Sequence, residues 1–206
     1  MQYALLLDGG FLLKKLEGRL GRFPEAEDIR AFCERVRQHG DLVNHHLLRI
    51  YFYDAPPATE RLTNPLDRST LNLAQTPIHL QHARLLDRLE LLPDFALRLG
   101  ETMTRNWRIG SRAMRELTKS PRPLAANDLV PNILQKGVDL RIGLDIARLS
   151  LRNVVRIIVI ATGDSDMVPA FKFARREGVR VYLLHLDHGI RRELKAHADR
   201  ILELPA

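Results

Sequence analysis

The fold is decided by the stretch VVRIIVIATGDSD, residues 154–166. Its first eight residues are mostly β-branched and apolar, a pattern typical of a strand that is buried on both faces of a sheet. The strand ends in a turn with one glycine and two aspartates, and the periodicity of 165–177 then predicts a helix. Residues 179–184 predict a further buried strand. This order indicates a right-handed crossover between two parallel strands.

The same alternation extends outward to both ends of the chain. Further strands are predicted at 3–7, 47–53, 95–101 and 201–204, and further helices at 24–39, 78–92, 138–151 and 190–198. Such a series favours an α/β fold with a mainly parallel central sheet covered on both faces. We expect one domain over 1–206 with a partly helical insertion around 55–130, and residues 102–130 give no clear pattern.

The composition limits the class of protein. The chain has 206 residues with 45% hydrophobic residues and a net charge of +7, which permits a sizeable core and favours polyanionic partners such as nucleic acid. A single cysteine, Cys33, excludes a disulfide framework within the chain and a zinc site built on several thiolates. The sequence has no membrane-length apolar run and begins with a strand pattern instead of a leader, so we expect a cytoplasmic protein.

Four aspartates follow predicted strands or begin predicted helices. Asp8 comes directly after the first strand, Asp164 and Asp166 follow the strand 154–161, and Asp139 lies at the start of the helix 138–151. Because ligands of open α/β sheets bind at the carboxyl ends of the strands, these side chains are expected to meet at one edge. Clustered carboxylates repel one another, and a hard cation such as Mg²⁺ or Mn²⁺ relieves that repulsion and can activate water for in-line attack on phosphorus.

Each aspartate also has a purely structural interpretation. Asp139, Asp166 or the neighbouring Ser165 could cap a helix, and Asp8 beside Gly9 could belong to a turn. Asp145 lies four residues after Arg141, and an exposed ion pair between them is a sufficient explanation. For any single aspartate a structural role is favoured, whereas the presence of all four at one edge favours a functional role.

A basic stretch follows the predicted strand 95–101. If it is helical, its cations form one stripe suited to a phosphate backbone, with Trp107 nearby to stack on a base. A solvated face of an insertion explains the pattern equally well. The cations are Arg105, Arg108, Arg112, Arg115, Lys119 and Arg122. Those of 172–176 and 191–195 are interpreted as solvent-facing charge on amphipathic helices.

Three segments together resemble the NYN family, which is related to the PIN-domain ribonucleases. They are LLLDGG at 5–10, KGVDL at 136–140 and ATGDSDMVP at 161–169. The last two motifs in this order are specific, and the strand–helix order covers most of the chain, although 55–94 and 102–130 match only loosely.

The resemblance implies a three-layer α/β/α PIN-like, Rossmann-like fold and metal-assisted cleavage of RNA. It implies that the four aspartates hold Mg²⁺ or Mn²⁺ and act in catalysis, and that Asp145 assists them. Lys136 would lie near the phosphate, and Thr162 and Ser165 would orient the acidic turn. The family often carries an asparagine two residues after the first aspartate, where this chain has Gly10.

The leading hypothesis is therefore a metal-dependent endoribonuclease that acts on RNA, with single-stranded RNA as the favoured substrate. A non-catalytic RNA-binding or regulatory protein is the second hypothesis, favoured by Gly10 and the basic stretch. A metal-dependent phosphatase or nucleotide-processing enzyme is the third, but the sequence has no phosphate-cradling glycine loop of the P-loop or dinucleotide kind. The apolar helix surface expected in the insertion is compatible with a homodimer.

Overall fold

A computed structural model describes residues 1–187 and 189–204, and its central feature is a six-stranded sheet. In chain order the elements are β1 (Gln2–Asp8), α1 (Gly9–Leu20), α2 (Ala26–Arg37), β2 (His46–Asp54), β3 (Arg61–Thr63), β4 (Thr70–Asn72), α3 (Pro77–Glu90), β5 (Phe95–Leu99), β6 (Glu101–Ile109), α4 (Ser111–Lys119), β7 (Leu129–Lys136), α5 (Val138–Leu151), β8 (Ile157–Ala161), α6 (Val168–Arg176), β9 (Arg180–Leu184), α7 (Arg192–Ala196) and β10 (Arg200–Ile201).

The strands of the sheet follow the order β10-β9-β8-β1-β2-β5, and every neighbouring pair is parallel. Alternate residues of β1 point to opposite faces, as the period of a strand requires. Leu5 and Leu7 pack in a core with α1, α2 and α3, whereas Ala4 and Leu6 pack in a second core with α5, α6 and α7. The expected three-layer α/β/α fold with a parallel sheet is confirmed.

Most predicted elements lie where the sequence pattern puts them, with ends that differ by up to three residues. The helix α1 was not predicted, because Gly9 and Gly10 at its start favour a turn in sequence terms. In the structure Asp8 caps this helix, and its backbone continues directly from β1. None of the helices among the described residues is long and apolar enough to cross a membrane.

Two antiparallel hairpins lie outside the central sheet. β3 pairs with β4, and β6 pairs with β7 from Glu101–Lys136 to Ile109–Leu129. The basic stretch is therefore divided among strand β6, helix α4 and the segment after α4, so the condition for one helical stripe is not met. The tertiary pairing of β6 with β7 overrides the helical spacing of the arginines.

The β6–β7 hairpin lies in the chain between β5, an edge strand of the central sheet, and α5. Gly100 precedes β6, and a Cβ atom there would lie 2.4 Å from the Lys136 carbonyl oxygen, so only glycine permits this close approach of the two strands. Gly137 then adopts a positive φ of 72° and turns the chain into α5. The hairpin thereby brings the start of α5, with Asp139, back to the carboxyl edge of the sheet.

Candidate active site at the carboxyl edge of the sheet

Asp8 is fixed by two hydrogen bonds where β1 ends. Its Oδ1 accepts a hydrogen bond from the backbone N–H of Phe11 at 3.1 Å, and this caps α1. Its Oδ2 accepts a hydrogen bond from the Thr162 hydroxyl at 3.0 Å. Because β1 and β8 are neighbours in the sheet, Asp8 and the turn after β8 lie side by side. Asp8 is thus a helix cap as well as a member of the candidate site.

The turn after β8 is held by its own side chains. The backbone N–H of Asp164 donates to the Thr162 hydroxyl at 3.1 Å, and that of Asp166 donates to Asp164 Oδ1 at 2.9 Å. The Ser165 hydroxyl accepts a hydrogen bond from Arg191 at 3.3 Å. Asp164 caps the short 3-10 turn at 165–167. The capping residue is therefore Asp164, and not Ser165 or Asp166 as the sequence suggested.

Asp139 lies in the first turn of α5 but does not cap it. Gly137 occupies the capping position, and no side-chain hydrogen bond is made there. Asp139 is exposed, and the capping explanation offered by the sequence was wrong. Its carboxylate is therefore available at the edge of the sheet.

The charges of the four aspartates act on one another. Burial raises the pKa of Asp8, the hydrogen bonds from Phe11 and Thr162 lower it, and the nearby charges of Asp139 and Asp164 raise it again. Partial desolvation of the Asp139 carboxyl, and then the charges of Asp164 and Asp166, raise its pKa. The structure thus brings together carboxylates from three separate segments of the chain.

The donor set suits a hard divalent cation, since carboxylate oxygens are the ligands that Mg²⁺ and Mn²⁺ prefer. The side chains do not converge on one point, however. Within residues 1–187 and 189–204, no group of three or more His, Cys, Asp or Glu side chains is placed so that it could hold a metal ion. In addition, one carboxylate oxygen of Asp8 and one of Asp164 accept hydrogen bonds from backbone N–H groups. Binding of a cation therefore requires rotation of some of these side chains.

Sequence reasoning missed a second polar group at the same edge. Asp54, at the end of β2, is 1% exposed and accepts hydrogen bonds from the Ala55 backbone N–H at 2.7 Å and Gln135 Nε2 at 2.9 Å. His82 Nε2 lies 2.8 Å from its other carboxylate oxygen. A strand followed by Asp-Ala-Pro-Pro was the available signal, but the partners come from α3 and β7, which no local pattern brings together.

Asp145 has other partners than the sequence suggested. It is 9% exposed and accepts hydrogen bonds from Tyr53 Oη at 3.0 Å and Arg98 Nε at 2.9 Å, with Arg148 Nε at 3.4 Å. Arg141 instead donates to the Gly137 carbonyl oxygen. The prediction of an exposed pair with Arg141 was wrong, and Asp145 is part of a buried network between α5 and the sheet.

The cations of the basic stretch differ in their availability. Arg105 and Arg108 are exposed on β6, and Arg112, Arg115 and Lys119 are exposed on α4. Arg122 instead forms a two-pronged ion pair with Asp128, which lowers the pKa of Asp128 to about 2. Arg122 is therefore interpreted as a residue with a structural role.

The two remaining predicted contacts of nucleic acid lie on the hairpin. Trp107 is half-buried, and its indole N–H donates to the Thr63 carbonyl oxygen at 2.9 Å. Lys136, the last residue of β7, is exposed next to Gly137. Its place before α5 puts it on the same side of the sheet as Asp139.

Residues 113–205 match the family model of the NYN domain. The resemblance to the NYN family is thereby confirmed over these residues. The NYN match contains Asp139, Asp164 and Asp166 but not Asp8, and an NYN domain indicates the PIN-like nuclease superfamily.

The fold has a solved counterpart. A protein of unknown function from Vibrio parahaemolyticus is similar to the chain with a TM-score of 0.53 and 13% sequence identity, over 98% of this chain and 91% of that one. At this identity the likeness concerns the fold alone. No curated protein matches the chain.

Proposed function

We propose that the protein is an endoribonuclease that depends on Mg²⁺ or Mn²⁺, with Asp8, Asp139, Asp164 and Asp166 as the residues that hold the cation. The observation that carries the proposal is the mutual electrostatic influence of these carboxylates, which come from β1, α5 and the turn after β8. Such a concentration of negative charge destabilises the protein when no cation is bound, because the carboxylates repel one another, and it favours binding of a cation. The NYN match over 113–205 supports nucleic acid as the substrate.

A bound divalent cation would polarise the phosphate and lower the pKa of a water molecule. The residues of the chain prepare the site for it. Thr162 orients Asp8 through the hydroxyl that donates to Oδ2, and the same hydroxyl accepts a hydrogen bond from the Asp164 backbone. Asp145 is held in a network with Tyr53 and Arg98, so any assistance from it would act through α5. Lys136 supplies a positive charge for the phosphate.

The exposed cations around α4 would hold the rest of the RNA chain. Arg105 and Arg108 lie on β6, which pairs with β7, and β7 ends at Lys136 before α5, so a strand bound along the hairpin would continue toward the acidic edge. Single-stranded RNA fits this arrangement best, because its phosphates can follow an irregular surface and its bases can stack on Trp107. The residues of this surface are Arg105, Arg108, Arg112, Arg115, Lys119 and Trp107.

A non-catalytic RNA-binding protein is the second candidate. Two observations favour it: the aspartates do not converge on one point in the described residues, and Gly10 replaces the asparagine that the family often carries. Both proposals share the RNA surface, and they differ in whether a phosphodiester bond is broken.

The test is cleavage of an end-labelled single-stranded RNA with Mg²⁺ or Mn²⁺ by the wild type, Asp164→Asn and Asp87→Asn. Asp87 is an exposed carboxylate on α3 and serves as the matched control. We expect Asp164→Asn to lose more than the roughly 10–100-fold that removal of an outer partner of a metal site costs. Asp87→Asn should retain full activity, and a chelator should abolish cleavage.

Cleavage that persists in chelator would overturn the metal-dependent proposal. RNA binding without cleavage under either cation would support the regulatory alternative. Hydrolysis of mononucleotides with no action on the polymer would instead identify a phosphatase.

A further inference from the structure

A pocket of about 180 Å³ lies beside the acidic edge. It is bordered by the segment after β2, the start of α3 and the β6–β7 hairpin. Its apolar lining includes Pro56, Leu73, Ile78 and Ile133, and its polar lining includes His79 and Gln135. A cavity of about 150 Å³ accepts benzene, so this pocket has room for one planar ring. Its apolar walls with a few placed polar groups are typical of a small-ligand site.

The orientation of Gln135 is fixed by a buried carboxylate. Asp54 Oδ1 accepts a hydrogen bond from Gln135 Nε2 at 2.9 Å, and an ionised carboxylate has no proton to donate. The amide nitrogen of Gln135 must therefore face Asp54, and its Oε1 is left as a hydrogen-bond acceptor.

His79 is likewise left with an acceptor. Its Nδ1 lies 2.9 Å from the Ala58 carbonyl oxygen, which can only accept, so Nδ1 carries the proton. In the neutral imidazole the other nitrogen, Nε2, is then an acceptor. The polar groups that line the pocket thus favour a ligand whose edge carries N–H donors.

Gln135 also separates the pocket from the acidic edge. A Cβ atom built on Gly10 would lie 3.8 Å from Gln135 Oε1 and 3.7 Å from Asp8 Oδ1. Gln135 Oε1 and Asp8 Oδ1 thus both border the space that Gly10, with no side chain, leaves open. Gln135 thus borders both the pocket and the space beside Asp8, so the pocket and the acidic edge share one side chain.

We infer that this pocket binds a nucleobase of the RNA strand, the base adjacent to the phosphate at the acidic edge, and that it prefers cytosine to uracil. The identification of the ligand as part of an RNA substrate rests on the proposed function. Cytosine and uracil have the same single ring, but cytosine presents an exocyclic amino group where uracil presents a carbonyl oxygen. The acceptors of Gln135 and His79 match the amino group and repel the carbonyl.

The pocket is tested first by binding of CMP and UMP, measured by calorimetry at pH 8 in the presence of Mg²⁺, because without a cation the carboxylates of the acidic edge would repel the phosphate. Both nucleotides carry the same phosphate, so a difference between their affinities comes from the base. We expect CMP to bind about tenfold more tightly than UMP, the difference that one hydrogen bond with an otherwise unsatisfied acceptor makes. Equal affinities, or no binding of CMP, would overturn the inference.

A matched pair of variants locates the binding. Ile78 lines the pocket and is 71% exposed, whereas Leu80 lies two residues later on the same helix, is 54% exposed and does not line the pocket. Ile78→Ser should weaken CMP binding about fivefold through loss of apolar contact, and Leu80→Ser should leave it unchanged. An equal effect of both variants would place CMP elsewhere and contradict the inference.

Cleavage assays separate this inference from the proposed function. If the wild type cleaves RNA next to cytosine and Ile78→Ser loses that preference, both stand. If cleavage shows no base preference that Ile78→Ser alters, the inference fails and the nuclease proposal stands. If RNA is not cleaved but CMP binds with the expected selectivity, the pocket stands and the nuclease proposal fails.

Discussion

The Thr162 hydroxyl donates a hydrogen bond of 3.0 Å to Asp8 Oδ2, and this bond joins residues 154 positions apart in the chain. The same hydroxyl accepts from the Asp164 backbone N–H at 3.1 Å. One side chain therefore fixes both Asp8 and the turn that carries Asp164.

Replacement of Thr162 by valine tests this arrangement. Valine keeps the shape but loses the hydroxyl, so Asp8 loses one partner and the turn loses another. We expect cleavage by Thr162→Val to fall about 10–100-fold, as loss of an outer partner does in metal sites. Thr162→Ser restores the hydroxyl and should recover most of the activity. Equal activity of the two variants would contradict an orienting role of the hydroxyl.

The raised pKa values of Asp8 and Asp139 predict a pH-dependent response to cations. A carboxyl whose pKa is raised by folding stabilises the fold most at low pH, and this contribution is lost as the pH rises through the raised pKa. A cation that binds only the folded protein offsets that loss. We therefore expect Mg²⁺ to raise Tm clearly at pH 8 and much less at pH 5, where protons compete for the same oxygens.

Thermal unfolding of variants shows whether the acidic edge is responsible. Asp139→Asn should abolish most of the Mg²⁺-dependent increase in Tm, and Asp87→Asn on α3 should retain it. An increase that is the same at both pH values, or that survives in Asp139→Asn, would speak against a cation site at this edge.

The two glycines at the start of α1 are expected to respond oppositely to alanine. A Cβ on Gly9 would lie 2.6 Å from the Tyr53 carbonyl oxygen, and this backbone atom cannot move without disturbing β2. A Cβ on Gly10 meets only ordinary contacts. Gly9→Ala should lower the free energy of unfolding by about 1–3 kcal/mol. Gly10→Ala should be neutral or raise it by about 0.5–1 kcal/mol. Urea denaturation measures both, and similar values would refute the close approach of α1 to β2.

Asp145 is expected to contribute to stability, because its carboxylate is buried with Arg98 and the Tyr53 hydroxyl. Burial, and next the charge of Asp145, raise the pKa of Tyr53 well above its ordinary value, so this hydroxyl remains a donor. Asp145→Ala should lower the free energy of unfolding by about 2 kcal/mol, since Arg98 keeps partial access to water. Asp87→Ala, at an exposed position, should change it by less than about 0.5 kcal/mol. Cleavage per folded molecule then tests assistance: a value equal to that of the wild type would exclude it.

The cations on α4 are expected to bind phosphates. In an Asp164→Asn background, which prevents cleavage, Arg115→Ala with Lys119→Ala should weaken RNA binding. Each phosphate contact with single-stranded nucleic acid contributes about 0.7 to the slope of log affinity against log salt, so the slope should fall by about 1.4. Arg30→Ala with Arg35→Ala removes the same charge from α2 and should leave the slope unchanged. Equal slopes in both double variants would remove α4 from the RNA surface.

Part of the structure was predictable because it depends on local pattern. The run of β-branched residues before Thr162 has only one favourable setting, a strand buried on both faces, and the acidic turn after it follows from strand order. The helix α1 was missed because paired glycines favour turns in isolation, whereas in the structure the Asp8 cap and the burial of Leu12, Leu13 and Leu16 stabilise the helix. The strand β6 was missed because its exposed cations occur at helical spacing, and its partner β7 lies some 30 residues later.

The sequence by itself determined the α/β/α architecture, and it predicted a candidate site at the carboxyl edge with four aspartates. These follow from hydrophobic periodicity and chain order, which act over a few residues at a time. Only the tertiary structure decided that Asp145 is buried with Arg98, that Asp54 holds Gln135, and that a ring-sized pocket lies beside Gly10. Each of these contacts joins residues at least 45 positions apart, so the free energy that forms them comes from packing of the whole domain and leaves no trace in a local pattern.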